Sequence, residues 1–219
     1  MRRLLVFALF LLLASPLPAH EESQEVLRYR WRLKGVRGAV AGLFLPNRGE
    51  GSLVTSQQAG GKLTSELLIT AHARAGDDFW RYGAELDPEA GRTLRAWSSY
   101  VFRGERKSKE TELRQDDVVD IASGIYLLRQ DPPTQRRRMR IWSDGKVYPV
   151  VVIPGARGTR RIHGRNIPVR HYSIVGVDEP GERPWRGRME LWLAEDAAAT
   201  PVEILIERSW AGVRLELES

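Results

Sequence analysis

The sequence predicts a mainly β protein: a strongly curved antiparallel sheet or open β-barrel with one packing helix near residues 119–130. Three observations lead there. Runs of apolar–polar alternation recur along the chain, the signature of half-buried strands. Turn residues separate those runs at short intervals. One stretch, around Ile121 to Arg129, replaces the two-residue rhythm with apolar residues at helical spacing.

The first strand is the clearest. Leu27, Tyr29, Trp31 and Leu33 fall on one face, and Arg28, Arg30, Arg32 and Lys34 on the other. Gly35, Gly38 and Gly42 then suggest a bend before a short strand at Leu43 to Pro46. Further strands are expected over Leu53 to Gln57, Leu63 to Thr70, Phe79 to Leu86 and Thr93 to Arg103. Asn47 to Gly51, Gly60-Gly61, Gly76-Asp77-Asp78 and Asp87-Pro88 read as the turns between them. The helix follows, with Asp116, Asp117 and Asp120 at its front, Arg129 near its end, and Asp131-Pro132-Pro133 stopping it. Acids ahead of a helix cap its free amides, a simpler reading than a calcium site.

The second half returns to strands. Met139 to Ser143 and Lys146 to Ile153 flank Asp144-Gly145, a hairpin signal. Arg157 to His163 and Ile167 to Val177 flank Gly164-Arg165-Asn166. Met189 to Ala194, Val202 to Arg208 and Val213 to Glu218 complete about a dozen short strands, and no internal repeat is visible.

The first nineteen residues read as a leader rather than as part of this domain. Arg2-Arg3 forms a positive start, Leu4 to Ala14 an apolar run, and Ser15 to Ala19 a turn ending in a small residue. This is the layout of a cleaved secretory signal, cut after Ala19, leaving 20–219 as one mainly-β domain in the periplasm. The apolar run is shorter than the roughly 20 residues that span a bilayer. No transmembrane anchor is expected after cleavage. With no cysteine in the chain, lipid-modified N-termini, thiol catalysis and thiolate metal sites are excluded. Removing Arg2 and Arg3 lowers the formal charge from +6 to +4, too mild a balance to define a partner.

The chain carries no G-x-S-x-G elbow, H-E-x-x-H, P-loop or dinucleotide fingerprint, so no catalytic residue, cofactor or metal ligand is assigned. His72 with Asp77 and Asp78 reads as a turn rather than a coordination sphere. His163 and His171 fall out of register on neighbouring strands. Arg136 to Arg140, with Arg157, Arg160, Arg161, Arg165 and Arg170, forms the densest basic region. It suits an anionic glycan or lipid headgroup, or simply protects strand edges. Nucleic acid is not an expected partner, because an exported protein does not meet it and the region lacks stacking aromatics. Trp31 reads as core. Trp97 and Trp192 alternate out of phase with their apolar neighbours, so they line the other side of the sheet. There they either meet an apolar ligand or lie beneath the chain's own helix.

The segment Asp120-x-x-Ser123-x-x-Tyr126-x-x-Arg129, followed by Asp131-Pro132-Pro133, resembles the mid-chain helix of a bacterial envelope family. It is the family numbered 3108 among domains of unknown function. Asp144-Gly145-Lys146-x-Tyr148, Leu191 to Asp196, Pro201-Val202 and Gly212 to Leu217 resemble its central hairpin and closing strands in order. Arg30-Trp31 resembles its opening strand, so the likeness runs from Leu27 to Ser219. Ala194-Glu195-Asp196 departs from a serine common there. The resemblance implies an exported protein with a curved antiparallel sheet and no established reaction. Its motif positions in this chain are Asp120, Ser123, Tyr126, Arg129, Trp192 and Pro201. Helical spacing puts Asp120, Ser123 and Tyr126 on one side and Ile121, Ile125 and Leu128 on the side facing the sheet. A helix plugging an open barrel follows.

The function expected from these readings is non-enzymatic. The chain would bind an apolar or amphiphilic envelope component, such as a lipid or lipoprotein, or act as an envelope-assembly scaffold. Trp97, Trp192, Tyr126 and Arg129 are the candidate ligand residues. The alternative is a hydrolase or other enzyme acting on envelope polymers, with Asp120, Tyr126, Arg129 or the histidines converging on one reacting atom.

Overall fold

A computed structural model describes residues 23–34, 47–58, 61–73, 76–102, 104–208 and 211–218. The leader, its cleavage point and the strand expected at Leu43 to Pro46 lie outside the described residues, as does the glycine-rich bend before that strand. The first half runs β1 (Gln24–Lys34), β2 (Arg48–Gln57), β3 (Leu63–Ala73), β4 (Gly76–Asp87), β5 (Arg92–Phe102), β6 (Glu105–Glu112) and β7 (Val118–Val119). After α1 (Ile121–Gln130) come β8 (Arg137–Ser143), β9 (Lys146–Ile162), β10 (Arg165–Gly176), β11 (Gly187–Ala194), β12 (Pro201–Arg208) and β13 (Ala211–Leu217). All thirteen strands form one sheet in the order β6-β5-β4-β3-β2-β1-β13-β12-β11-β10-β9-β8-β7. Every pairing is antiparallel except the short β7–β8 pair. The seam between the halves is β1–β13, registered from Tyr29↔Leu217 to Lys34↔Gly212.

The expected fold class holds: one large curved sheet that does not close, with one short helix. Its ends overlap instead of pairing. β8 sends Ile141 into the main core and the next residue, Trp142, into a second cluster with Leu63, Ala84, Leu86 and Ala96. The β8–β9 turn also reaches β5, where Ser98 Oγ donates to Asp144 Oδ1 at 3.4 Å. The β7–β9 end of the sheet is therefore tucked against the inner side of β3–β5, and α1 lies within the roll. Ile121, Ala122, Ile125 and Leu128 join Tyr29, Leu67, Ile141, Val152, Tyr172 and Leu191 in the main core. Tyr126 and Leu127 pack on the second cluster.

Several elements differ from the sequence reading. Gly49 to Gly51 belongs to β2 rather than to a turn, and the reason is a ring. The Trp31 indole crosses β2 to donate from Nε1 to the Thr70 carbonyl at 2.7 Å. A Cβ on Gly49 would sit 2.1 Å from that carbonyl oxygen and 2.6 Å from the indole nitrogen. Gly76-Asp77-Asp78 is likewise strand, with His72 opposite Asp77 in the β3–β4 register. Lys146 to Ile153 and Arg157 to His163 merge into one 17-residue strand, because Pro154 and Gly155 fit within β9 beside the irregularity at Arg170/Tyr172. The turn after β9 is His163-Gly164, both at positive φ, ahead of the expected Gly164-Arg165-Asn166. Asp144-Gly145 forms the expected tight turn, with φ of 53° and 82°. β6 gave no apolar signal: its sequence ERKSKETE is exposed throughout, as suits an edge strand that must not recruit another chain. The helix begins at Ile121, and Val118–Val119 before it is a strand.

Gly49→Ala is expected to lower the unfolding free energy by about 2 kcal/mol, because the added carbon overpacks the Trp31–Thr70 contact. Urea unfolding followed by tryptophan fluorescence reads this directly; an unchanged midpoint would count against the ring-over-glycine account.

Candidate functional site

The helix motif is built as an anchor at both ends. At the front, the Asp120 carboxylate accepts from the amides of Ser123 (2.7 Å) and Ala122 (3.1 Å). Ser123 Oγ accepts in return from the Asp120 amide at 2.9 Å, completing a capping box. Thr93 of β5 donates to Ser123 Oγ at 3.2 Å, and Ser65 of β3 donates to the Ala122 carbonyl at 3.2 Å. Capping by Asp120 is as expected. The other two acids do something else: Asp117 pairs with Arg140 and Asp116 with Arg92. The Arg140 hydrogen bond holds the Asp117 carboxyl below its ordinary value.

At the back, the Arg129 guanidinium grips both oxygens of Glu25 at 2.6 and 2.8 Å. It also donates to the Ala198 carbonyl, in the β11–β12 loop, at 3.2 and 3.3 Å. Burial works against its charge, and the Glu25 contacts more than offset that. Beside it, the Tyr29 hydroxyl donates to the Pro201 carbonyl at 2.8 Å. Burial pushes the Tyr29 phenol well above its usual range and also raises that of Tyr126.

Asp120 and Arg129 are thus taken up in holding the helix, the Pro201 carbonyl ties β12 to β1 through Tyr29, and Tyr126 packs against the second cluster. Among the described residues, no two of Asp120, Tyr126, Arg129, His163 and His171 are seen to share a hydrogen-bonding partner. His163 sits in the β9–β10 turn and His171 within β10. No group of three or more metal-ligating residues occurs among the described residues.

Trp97 and Trp192 lie on the outer side of the sheet, away from α1, so the helix does not cover them. Trp97 alternates with inward-facing Ala96 and Ser98, rests over Gly83, and donates to Glu66 at 3.3 Å. Trp192 has His171 stacked on it at 4.7 Å and the Arg160 guanidinium 4.6 Å from its ring centre. Around it run Arg160–Glu203 (2.9 Å), Arg214–Glu203 (3.3 Å) and His171–Glu190 (2.5 Å). Glu203 faces Glu216 in register, and Arg214, paired with both, offsets the two like charges. Six strands lie between β5 and β11 in the sheet order, so the four candidate ligand residues are not brought together.

A cleft that the sequence reading passed over lies between the β8–β9 turn and the chain entering β11. It has a volume of about 490 Å³ and is lined by Ser143, Asp144, Tyr148 and the segment Arg183 to Gly187. Trp185 is its apolar wall, buried into the main core. Gly187 admits the ring, for a Cβ there would stand 2.6 Å from it, and Gly176 admits the Trp185 backbone, whose carbonyl oxygen would lie 2.3 Å from a Cβ. Arg183 and Arg186 are exposed and make no ion pair among the described residues. The legible signal was the sequence Arg183-Pro184-Trp185-Arg186-Gly187, a basic–aromatic cluster inside a predicted loop.

A rolled antiparallel sheet around one helix is a β-barrel-like architecture of the kind found in bacterial domains of unknown function. A solved structure with a TM-score above 0.5 bears this out at the level of fold. One match is the crystal structure of a beta-barrel-like protein of domain of unknown function DUF1849 from Brucella abortus. It shares 9% identity at a TM-score of 0.55, covering 88% of this chain and 94% of that one. Another is the hypothetical lipoprotein YmcC from Escherichia coli, with 11% identity and a TM-score of 0.36, covering 88% and 85%. No family model and no curated protein matches the chain. Among the described residues no helix is long and apolar enough to cross a membrane.

Two outcomes test the anchoring roles. Burial pushes the Asp120 carboxyl up to about 6 from 3.8. The folded state then holds that proton more tightly than the unfolded chain. The contribution of Asp120 to stability is greatest below pH 4, declines as pH rises through 4 to 6, and is constant above. Relative to Asp120→Asn, the protein is expected to lose roughly 2–3 kcal/mol between pH 4 and 7. Parallel stability–pH curves for the two proteins would contradict this. Arg129→Lys is expected to cost about 2 kcal/mol in urea unfolding, since an ammonium cannot grip both Glu25 oxygens and the Ala198 carbonyl.

Proposed function

We propose that the chain is an exported periplasmic protein that binds an amphiphilic envelope component without transforming it. In this reading the leader 1–19 is removed after Ala19, and 20–219 acts as a single domain. The observation that carries the proposal is the cleft beside β11. An aromatic wall of Tyr148 and Trp185 meets the exposed cations Arg183 and Arg186, which make no ion pair among the described residues, in a space of ligand size. That combination suits a molecule with an anionic head and an apolar chain. The ligand role first expected of Trp97, Trp192, Tyr126 and Arg129 passes to these residues, because Arg129 is engaged in the helix anchor and Tyr126 packs on the second cluster. The interior of the roll is occupied by α1, which favours a ligand held at the mouth over one enclosed in the barrel. A scaffolding role in envelope assembly fits the same surface. Membership of family 3108 is the finer form of the proposal, supported by the motif helix and the closing strands.

Binding of dansyl-labelled undecanoate, an anionic single-chain amphiphile, tests the reading. Saturable fluorescence enhancement is expected, weakened about tenfold or more in Arg183→Ala/Arg186→Ala through loss of two charge-assisted contacts. Absence of saturable binding, or equal binding by the double variant, would overturn it.

A further inference from the structure

From Lys146 to Val177 the chain runs 32 residues without an acid while carrying six cations. The fold concentrates part of that run at one point. β11 pairs with β10 only from Val169 onward, and β8 pairs with β9 only up to Val152. The segment from Arg157 to Pro168 is therefore a two-stranded ribbon that extends past its neighbours, paired mainly to itself. At its base, Arg157 pairs with Glu195 and Arg160 with Glu203. At its tip the pattern changes. Arg161 and Arg165 are exposed and have no acidic partner among the described residues, and His163 and Gly164 form the turn between them.

The register spreads these cations over both faces of the tip. Arg161 lies opposite Asn166, and Arg165 opposite Ile162. Cations on both faces, a half-exposed isoleucine and a narrow end suit tip-on contact with a plane of negative charge. A polymer tracked along a groove would need a continuous trough and rings on which to stack, and no Phe, Trp or Tyr occurs between Ala156 and Pro168.

We propose that the tip of the β9–β10 ribbon, through Arg161 and Arg165, docks the protein onto the phosphate-bearing surface of an anionic lipid bilayer. The surface is separate from the Arg183–Arg186 cleft and does not depend on a ligand there. Two guanidiniums at a negative membrane surface give reversible, salt-sensitive attachment. Arg157 and Arg160, neutralised at the base, fix the ribbon's attachment to the sheet.

Co-sedimentation with phosphatidylglycerol–phosphatidylcholine vesicles tests this. The protein should pellet with them and not with pure phosphatidylcholine, and roughly 0.5 M salt should release it. Arg161→Glu/Arg165→Glu, both at exposed turn-flanking positions, should cut the vesicle partition at least about tenfold. Its unfolding midpoint and its dansyl-undecanoate binding should stay unchanged. Arg183→Ala/Arg186→Ala should pellet like the parent, which separates this claim from the cleft. Equal binding to neutral vesicles, salt-insensitive binding, or undiminished binding by the charge-reversed protein would overturn the proposal. So would release by millimolar inorganic phosphate, which would identify a free-anion site.

Discussion

The buried Arg129 guanidinium is the contact on which the roll depends. A thirteen-stranded sheet that does not close has no ring of hydrogen bonds to set its curvature, so something inside must hold its parts at a defined spacing. Arg129 does this by joining three elements distant in sequence: the helix that carries it, β1 through Glu25, and the β11–β12 loop through Ala198. Tyr29 adds a second link from β1 to the start of β12. β1 is also the seam where the two halves of the chain pair, so both halves are referenced to one helix. A guanidinium suits this position because it supplies several donors in a fixed plane. Once both carboxylate oxygens and the carbonyl accept from it, its burial is compensated.

A second device recurs wherever the sheet must bend closely around a side chain. Trp31 lies over Gly49, Trp97 over Gly83, His171 over Gly155, and Trp185 over Gly187. In each case a ring occupies the space that a Cβ on a paired or neighbouring strand would take. The glycines weaken their strands intrinsically, and the rings restore packing across them. The tryptophans among the described residues are thus spread through the fold rather than collected into one binding surface. Trp192 extends the same logic with charge, lying among His171, Arg160 and the buried Glu203 on the outer side.

How much of this was legible follows from the range of each interaction. β13 was readable because Val213 and Leu215 alternate with Arg214 and Glu216, a local pattern set by one buried face. The Asp120 cap and the Asp144-Gly145 turn were readable for the same reason. Arg129 was readable as the basic residue near the helix end, but the carboxylate and the loop carbonyl it meets belong to partners 104 and 69 residues away. Gly49 and Gly51 looked like a turn because their purpose is to admit the Trp31 ring and the Leu215 side chain from elsewhere in the fold. β6 carried no apolar residue, and only its place at the sheet edge explains that composition. The cleft was hidden because Trp185 sits in a loop, where periodicity says nothing about burial.

These contacts give α1 a structural role as a fixed plug, and they move the search for ligands to the surface. Native-state hydrogen exchange of the α1 amides tests that claim most directly. If the helix is a fixed plug, the amides from Ile125 to Gln130 exchange only through global unfolding, with the same protection as the central strands β1 and β13. Exchange of those amides through a local opening well below the global unfolding free energy, while β1 and β13 stay protected, would show a helix that moves within the roll and would contradict the account.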